Sequence, residues 1–155
     1  MRPCYNISHS LRALFVTSLI MTAFAGAAGV SHAAAGKEPN CEIQSGSCRQ
    51  VTNDGTAVEL DIQPKPVKAM TDLDFMITIT RDGTLLKDAL ISLDLSMPGM
   101  FMGRNRSVLK QVKPGLYEGK GVVTKCPSGR KTWQAEVTVE RDGKTAVVDF
   151  VFEVT

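Results

Sequence analysis

The stretch TWQAEVTVERDGKTAVVDFVFEV, residues 132–154, decides the fold. Apolar and polar residues alternate over residues 133–140, and a second alternating run follows Asp142-Gly143. A period of two residues is typical of a strand with one buried face, and Asp-Gly between two such runs is a strong hairpin signal. The stretch therefore predicts an antiparallel hairpin, with Trp133 as the largest side chain of the core.

Earlier parts of the chain carry the same signal, and each run is followed by turn-forming residues. The predicted strands cover residues 58–63, 73–80, 91–96 and 116–124. Pro64-Lys65-Pro66 ends the first of them and favours an edge position, because proline donates no hydrogen bond to a neighbouring strand. The pattern predicts an all-β protein, an antiparallel immunoglobulin-like β-sandwich of six to seven strands. A small barrel is the alternative.

The N-terminal segment is predicted to be a signal peptide. Arg2 and Arg12 flank its start, an uncharged run follows over residues 13–30, and Ser31-His32-Ala33 has the spacing of a cleavage site. Cleavage after Ala33 predicts a periplasmic or secreted protein, and an uncleaved membrane anchor is the alternative. The expected organisation is a signal peptide at 1–33, an N-terminal tail with two cysteines at 34–56 and one β-sandwich domain at 57–155.

Charge and histidine content exclude several classes of function for the mature chain. The sequence has 18 basic and 16 acidic side chains, and two of the basic ones lie in the signal peptide, so the mature charges balance. A neutral chain does not support nucleic-acid binding. His9 and His32 also lie in the signal peptide, which excludes imidazole metal sites and Ser-His or Cys-His catalysis. We therefore expect a protein that is not an enzyme.

Three cysteines remain in the mature chain, so one of them has no partner within it. Exported proteins in oxidising compartments normally pair their thiols. Cys41 and Cys48 enclose a turn-like Gln-Ser-Gly-Ser segment, which favours a bridge between these two. A bridge from Cys126 to either of them is the alternative. The remaining thiol is then a soft metal ligand, a site for an intermolecular disulfide or a redox reaction, or a small buried hydrophobe.

Three methionines lie within six residues, directly after the predicted strand 91–96. Met97 continues the inward-facing positions of that strand, which favours packing over metal binding. Met100 and Met102 follow a break at Pro98-Gly99, and in an extended segment they project to the same side. Thioether sulfur suits Cu(I). The sequence therefore predicts a Cu(I) site at Met100 and Met102, with Met97 or the unpaired cysteine as the further ligand.

A docking surface is the alternative function. Phe101 is followed by Arg104 and Arg106, and residues 104–131 carry eight positive charges against one negative. A cationic face of this kind suits an acidic envelope protein or an anionic surface. Contact with a membrane is expected only if the signal peptide stays attached, whereas the Cu(I) function requires a metal donor as partner.

The order of these motifs resembles the YtkA-like domain family, over about residues 57–155. The resemblance is carried by Ser96-Met97-Pro98-Gly99-Met100, by Lys113-Pro114-Gly115-Leu116-Tyr117-Glu118-Gly119, and by Trp133 at the start of a valine-rich strand. Members of this family are small exported bacterial β-sandwich domains, similar in build to copper-handling periplasmic sandwiches. The resemblance implies an exported immunoglobulin-like sandwich with a role in metal handling. Because no histidine accompanies the methionine loop, that expectation is limited to Cu(I).

Overall fold

The computed structural model describes residues 37–155, and this part of the chain is an antiparallel all-β sandwich, as the sequence predicts. Its nine strands are β1 Cys48–Val51, β2 Thr56–Gln63, β3 Asp72–Arg81, β4 Thr84–Leu85, β5 Leu90–Ser96, β6 Arg106–Lys113, β7 Leu116–Val122, β8 Thr132–Arg141 and β9 Lys144–Glu153. The predicted signal peptide, 1–33, lies outside the described residues. Within those residues, no helix has the length and apolar character needed to cross a membrane.

The strands follow one hydrogen-bonded order, β1-β2-β3-β7-β6-β5-β8-β9, and β4 pairs with β3. Strand β6 connects the two halves, because residues 106–109 pair with β5 and residues 110–113 lie alongside β7. At the far side, β1 contacts β9. This contact brings the first and last strands of the hydrogen-bonded order together, so the sandwich is nearly closed. Near closure is a feature of the small barrel that the sequence leaves as the alternative fold.

The structure has more strands than the predicted six to seven, and β6 shows why one of them is hard to find. Only Leu109 of its eight residues is buried, and Val108 and Val112 are exposed. A strand that passes from one half of the sandwich to the other does not keep one face on the core, so the period of two is lost. The edge position predicted for β2 is wrong, because β1 pairs along its outer side.

The core lies between the two halves and is built on aromatic side chains. Trp133 is 1% exposed, which confirms its predicted place, and Phe75 and Phe150 are fully buried. Burial of one such side chain contributes about 1.5–3 kcal/mol. Strand β7 comes close to β3 at Gly121, where an added Cβ would lie 2.8 Å from Cε2 of Phe75. Glycine is required there because any side chain would clash with the ring.

The residues before β1 lie on the sheet and cover the outer strand β9. Cys41 and Cys48 form a disulfide with a Cα–Cα distance of 5.5 Å, which confirms the favoured bridge. The Val151 N–H donates to Oδ1 of Asn40 at 2.8 Å, and Cys41 N–H donates to the Val151 carbonyl at 3.1 Å. Ile43 is buried. The segment therefore satisfies backbone groups that an uncovered edge strand would leave unpaired.

Candidate functional site

Two loops, residues 97–105 and 123–131, lie at the same end of the sandwich. The first loop begins where β5 ends and the second ends where β8 begins, and β5 pairs with β8 at this point. They are joined directly, since Nη2 of Arg130 donates to the Pro98 carbonyl at 2.8 Å. The side chain of Asn105 donates to the Val122 carbonyl, also at 2.8 Å, and anchors the first loop to β7. We name this region the sulfur end, defined by Met97, Met100, Met102 and Cys126.

A tight turn positions the first two methionines. Met100 N–H donates to the Met97 carbonyl at 3.0 Å, and the two residues form an isolated antiparallel bridge. Pro98 and Gly99 occupy the central positions, and Gly99 has a φ of 74°. A proline followed by a glycine with positive φ is the sequence that a type II turn requires. The break at Pro98-Gly99 is therefore the element that turns the chain back over the core.

The three methionines differ in burial. Met97 is 2% exposed and belongs to the core, in agreement with the packing role that its strand position favours. Met100 and Met102 are partly buried and pack against the edge of the core, whereas Phe101 between them is 90% exposed. Alternate residues of this segment therefore face opposite sides, with sulfur toward the protein and the aromatic ring toward solvent.

Cys126, the one cysteine outside the disulfide among the described residues, lies beside the methionine turn. Its Sγ is 3.9 Å from Sδ of Met100, with the thiol as the donor of a weak hydrogen bond, although the two residues are 26 positions apart. Cys126 is 4% exposed. The loops thus bring a thiol and a thioether into contact at the margin of the core.

The surroundings of Cys126 favour its thiolate. A hydrogen bond from the Ser128 hydroxyl, 3.0 Å from Sγ, is the main cause that lowers the pKa of this thiol below its ordinary value of 9.0. Burial acts in the opposite direction, while the backbone N–H groups of Ser128 and Arg130 and the charge of the Arg130 guanidinium lower the pKa further. A thiolate is the form of cysteine that binds metal.

A groove of about 550 Å³ opens beside Cys126. Its walls carry the side chains of Lys125, Arg130 and Lys131, and its apolar side includes Trp133 and Met70. Met70 is 68% exposed and has a positive φ of 61°. The groove therefore places three cationic side chains beside Cys126, while Met100 lies outside its lining.

The predicted docking residues lie in the first loop and in β6. Phe101 and Arg104 are both exposed in the first loop. Arg106 lies at the start of β6, where its Nη2 donates to Oγ of Ser92 at 2.6 Å. Arg106 is exposed as well, so all three residues lie at the surface.

Sequence reasoning missed Ser128, Arg130 and Met70, which surround the sulfur pair. A signal for the first two was present, because Cys126-Pro127-Ser128-Gly129 resembles Met97-Pro98-Gly99-Met100 in placing a sulfur residue before a proline turn. The Gly129 N–H donates to the Cys126 carbonyl at 3.0 Å, so the second segment is also a turn. Met70 carried no such signal.

Within residues 37–155, no group of three or more His, Cys, Asp and Glu side chains is arranged to hold a metal ion. Thioethers are not among those residue types, so a site built on methionine is a separate matter. Comparison of the chain with protein-family models, with curated proteins and with solved structures finds no match in any of the three.

Proposed function

We propose that this protein is an exported, non-enzymatic β-sandwich that binds Cu(I) at its sulfur end, through Cys126 and Met100. The observation that carries the proposal is the 3.9 Å distance between Sγ of Cys126 and Sδ of Met100. Thiolate and thioether are soft ligands, and soft ligands select Cu(I) among the biological metals. The resemblance to the YtkA-like family points to the same function and stays a prediction.

The separation of the two sulfurs suits a shared ion. With metal–sulfur bonds of about 2.3 Å, two sulfurs at 120° around one metal lie about 4.0 Å apart. The Cys126 thiol donates its proton toward Sδ of Met100 across this distance. Cu(I) would replace that proton and bind both sulfurs, so binding requires only a small movement of either side chain.

The thiolate also resolves an electrostatic difficulty. A monovalent cation on neutral thioethers would be repelled by Lys125, Arg130 and Lys131. Bound to a thiolate, Cu(I) forms a neutral unit, and the guanidinium near Cys126 no longer opposes it. The proposal therefore gives Cys126 the role of principal ligand, where the sequence alone places the emphasis on Met100 and Met102.

A third ligand would complete the site, and the two neighbouring methionines are the candidates for it. Met102 lies on the same side of its segment as Met100 and is partly buried. Met97 is buried next to the turn and forms the backbone bridge with Met100. Single substitutions of Met102 and Met97 by leucine show which of them is the third ligand, because leucine keeps the volume of the side chain and removes the sulfur.

Competitive titration with Cu(I) and a chromogenic chelator tests the proposal, under anaerobic conditions with the Cys41–Cys48 disulfide intact. We expect Cys126→Ser to weaken Cu(I) binding by more than about 100-fold, because loss of a direct ligand exceeds the 10–100-fold cost of losing an outer-shell partner. The double variant Met100→Leu/Met102→Leu should also bind more weakly.

Met76→Leu is the matched control, since Met76 lies on the outer face of β3 and lines a groove with Val108 and Val112. Its Cu(I) affinity should equal that of the wild type. If Cys126→Ser and the double methionine variant both bind Cu(I) as tightly as the wild type, the proposal is wrong.

A second candidate is a metal-independent interaction module, and the exposure of Phe101 favours it. An aromatic side chain that is 90% exposed beside the exposed Arg104 is suited to docking an acidic envelope protein. Capture of such a partner by the wild type, lost in Phe101→Ala and Arg104→Ala and independent of Cu(I), would support this function. Capture that depends on Cys126 would instead connect the partner to metal transfer.

A further inference from the structure

The sequence contains Arg-Asp-Gly twice, and the fold brings the two copies to one end of the molecule. Asp82-Gly83 joins β3 to β4, and Asp142-Gly143 joins β8 to β9. Both aspartates have positive φ, 49° and 51°, as two-residue hairpin turns require. We name this region, opposite the sulfur end, the arginine end, defined by Arg81, Arg141, Lys144, Asp54 and Asp142.

A cavity of about 80 Å³ lies between the two turns. Arg81, Arg141 and Lys144 line it together with two carboxylates, and Leu86, Val139 and Ala146 form its apolar wall. A single water molecule requires about 10–15 Å³ of such space, so the cavity has room for a small polyatomic ion.

One charged donor at this cavity has no hydrogen-bond partner among the described residues. Nε of Arg141 is buried, and the nearest carboxylate oxygen, Oδ2 of Asp142, is 3.5 Å away and does not accept a hydrogen bond from it. Asp142 itself is 78% exposed in its side chain. Native structures rarely leave a buried donor unpaired, and for a charged group the cost is greater. Nε of Arg141 therefore lacks the hydrogen-bond partner that a buried charged donor normally has, and the carboxylate of Asp142 compensates its charge only at a distance.

The other carboxylate at the cavity is already committed to protein groups. Asp54 is paired with Arg81, and it accepts hydrogen bonds from the Thr52 hydroxyl and from the Thr56 N–H. Arg81 further donates from Nε and Nη2 to Oγ1 of Thr56, at 3.2 and 2.6 Å. Lys144 forms no ion pair with any residue in the described part of the chain. Three cationic side chains thus line the cavity against the two carboxylates of Asp54 and Asp142, and the charge of Lys144 has no ion-pair partner among the described residues.

We infer that the arginine end binds a small tetrahedral oxyanion, of the phosphate or sulfate class, between its two hairpin turns. Arg141 supplies charge-assisted hydrogen bonds through its guanidinium, Lys144 supplies a second positive charge, and Arg81 stays on Asp54 and fixes the wall of the cavity. This site is independent of the Cu(I) site, because it lies at the other end of the strands.

Isothermal titration with phosphate and with sulfate, at constant ionic strength, tests the inference. We expect saturable binding with a Kd of about 1 mM or tighter, and an affinity at least about tenfold lower in Arg141→Gln and in Lys144→Gln. The backbone amide signals of Gly83 and Gly143 should shift on titration in the wild type. Lys144→Gln keeps the test decisive if Arg141→Gln fails to fold.

Lys120→Gln is the charge-matched control. This substitution removes one positive charge, as Arg141→Gln and Lys144→Gln do, but Lys120 pairs with Asp74 on the outer face of the sheet. It should bind both anions as the wild type does. The inference is overturned if neither anion binds saturably, if chloride gives the same signal, or if Lys120→Gln weakens binding as much as Arg141→Gln.

Discussion

The two ends of the sandwich are built from the same strands and differ in their connections. At the arginine end, two-residue hairpin turns follow Arg81 and Arg141, and Arg81 pairs with Asp54 from the four-residue connection between β1 and β2. At the sulfur end, the nine-residue loops 97–105 and 123–131 fold back over the core and bring neutral sulfur atoms into contact.

The difference shows how the length of a connection between strands affects which types of side chain lie at that end of the sandwich. A two-residue turn leaves no chain to cover the core, so its flanking side chains stay at the surface, where charge is solvated. A longer loop buries part of itself and must satisfy its own backbone, as the Arg130 contact with the Pro98 carbonyl does. A thioether is compatible with that partly buried setting, and a thiolate is compatible with it when it is paired, as Cys126 is with Ser128 and Arg130.

The largest expected effect is the stabilisation of the folded state by ligand, which should depend on different residues for Cu(I) and for phosphate. A ligand present at about 1,000 times its Kd stabilises the folded state by about 4.1 kcal/mol. We expect Cu(I) to raise the free energy of unfolding of the wild type and of Arg141→Gln by such an amount, but not that of Cys126→Ser. Phosphate at about ten times its Kd should stabilise the wild type and Cys126→Ser by about 1.4 kcal/mol, and Arg141→Gln by less. Denaturant unfolding with each ligand measures this, and loss of both responses in one variant would contradict the independence of the two sites.

The disulfide should matter mostly at the sulfur end and at β9. Replacement of Cys41 and Cys48 by serine removes a bridge with a sequence separation of seven, which for a loop of this length costs about 2–3 kcal/mol. Hydrogen exchange should become faster at Val151, whose N–H is held by Asn40, and at Val67, whose N–H is held by Gln44. Equal acceleration at the arginine end would contradict this assignment.

The smallest effect concerns acid stability at the arginine end. Hydrogen bonding by Thr52 is the main cause that lowers the pKa of Asp54 from 3.8 to about 2, with Thr56 and Arg81 acting in the same direction. Because the folded state favours the ionised form, this stabilisation is present above pH 4 and is lost as the pH falls toward 2. The side chain is 42% exposed, so its contribution is no more than about 1 kcal/mol.

Urea unfolding between pH 5 and pH 2 measures this contribution, and the range is set by the lowered pKa. The free energy of unfolding of Asp54→Asn should fall less over this range than that of the wild type, and Thr52→Val should lie between them. A pH dependence of Asp54→Asn that matches the wild type would show that Asp54 does not couple to folding.

Much of the fold was predictable because its signals are local. The hairpin of β8 and β9, the strands β2, β3, β5 and β7, and the place of Trp133 follow from alternation and turn residues within a few positions. Strand β6 was not predictable in this way, since its crossing between the halves removes the alternation. The two-residue strand β4 is too short to carry a period at all.

The candidate site was predictable only in its residue types. Met100 and Met102 were identified from their spacing, and Cys126 as a thiol that remains if Cys41 and Cys48 pair. That Cys126 meets Met100 depends on the pairing of β5 with β8, which no pattern near either residue specifies. The same holds for Arg81 and Arg141, which the sequence shows only as two similar turns.

The sequence by itself determined the positions of β2, β3, β5, β7, β8 and β9 and the turns at Asp142-Gly143 and Pro98-Gly99. Each of these depends on the backbone preference or the chemistry of residues a few positions apart. Tertiary structure alone decided which sulfurs touch and which arginines share a cavity. Those contacts join residues tens of positions apart, and they are set by the order of the strands and by packing across the core.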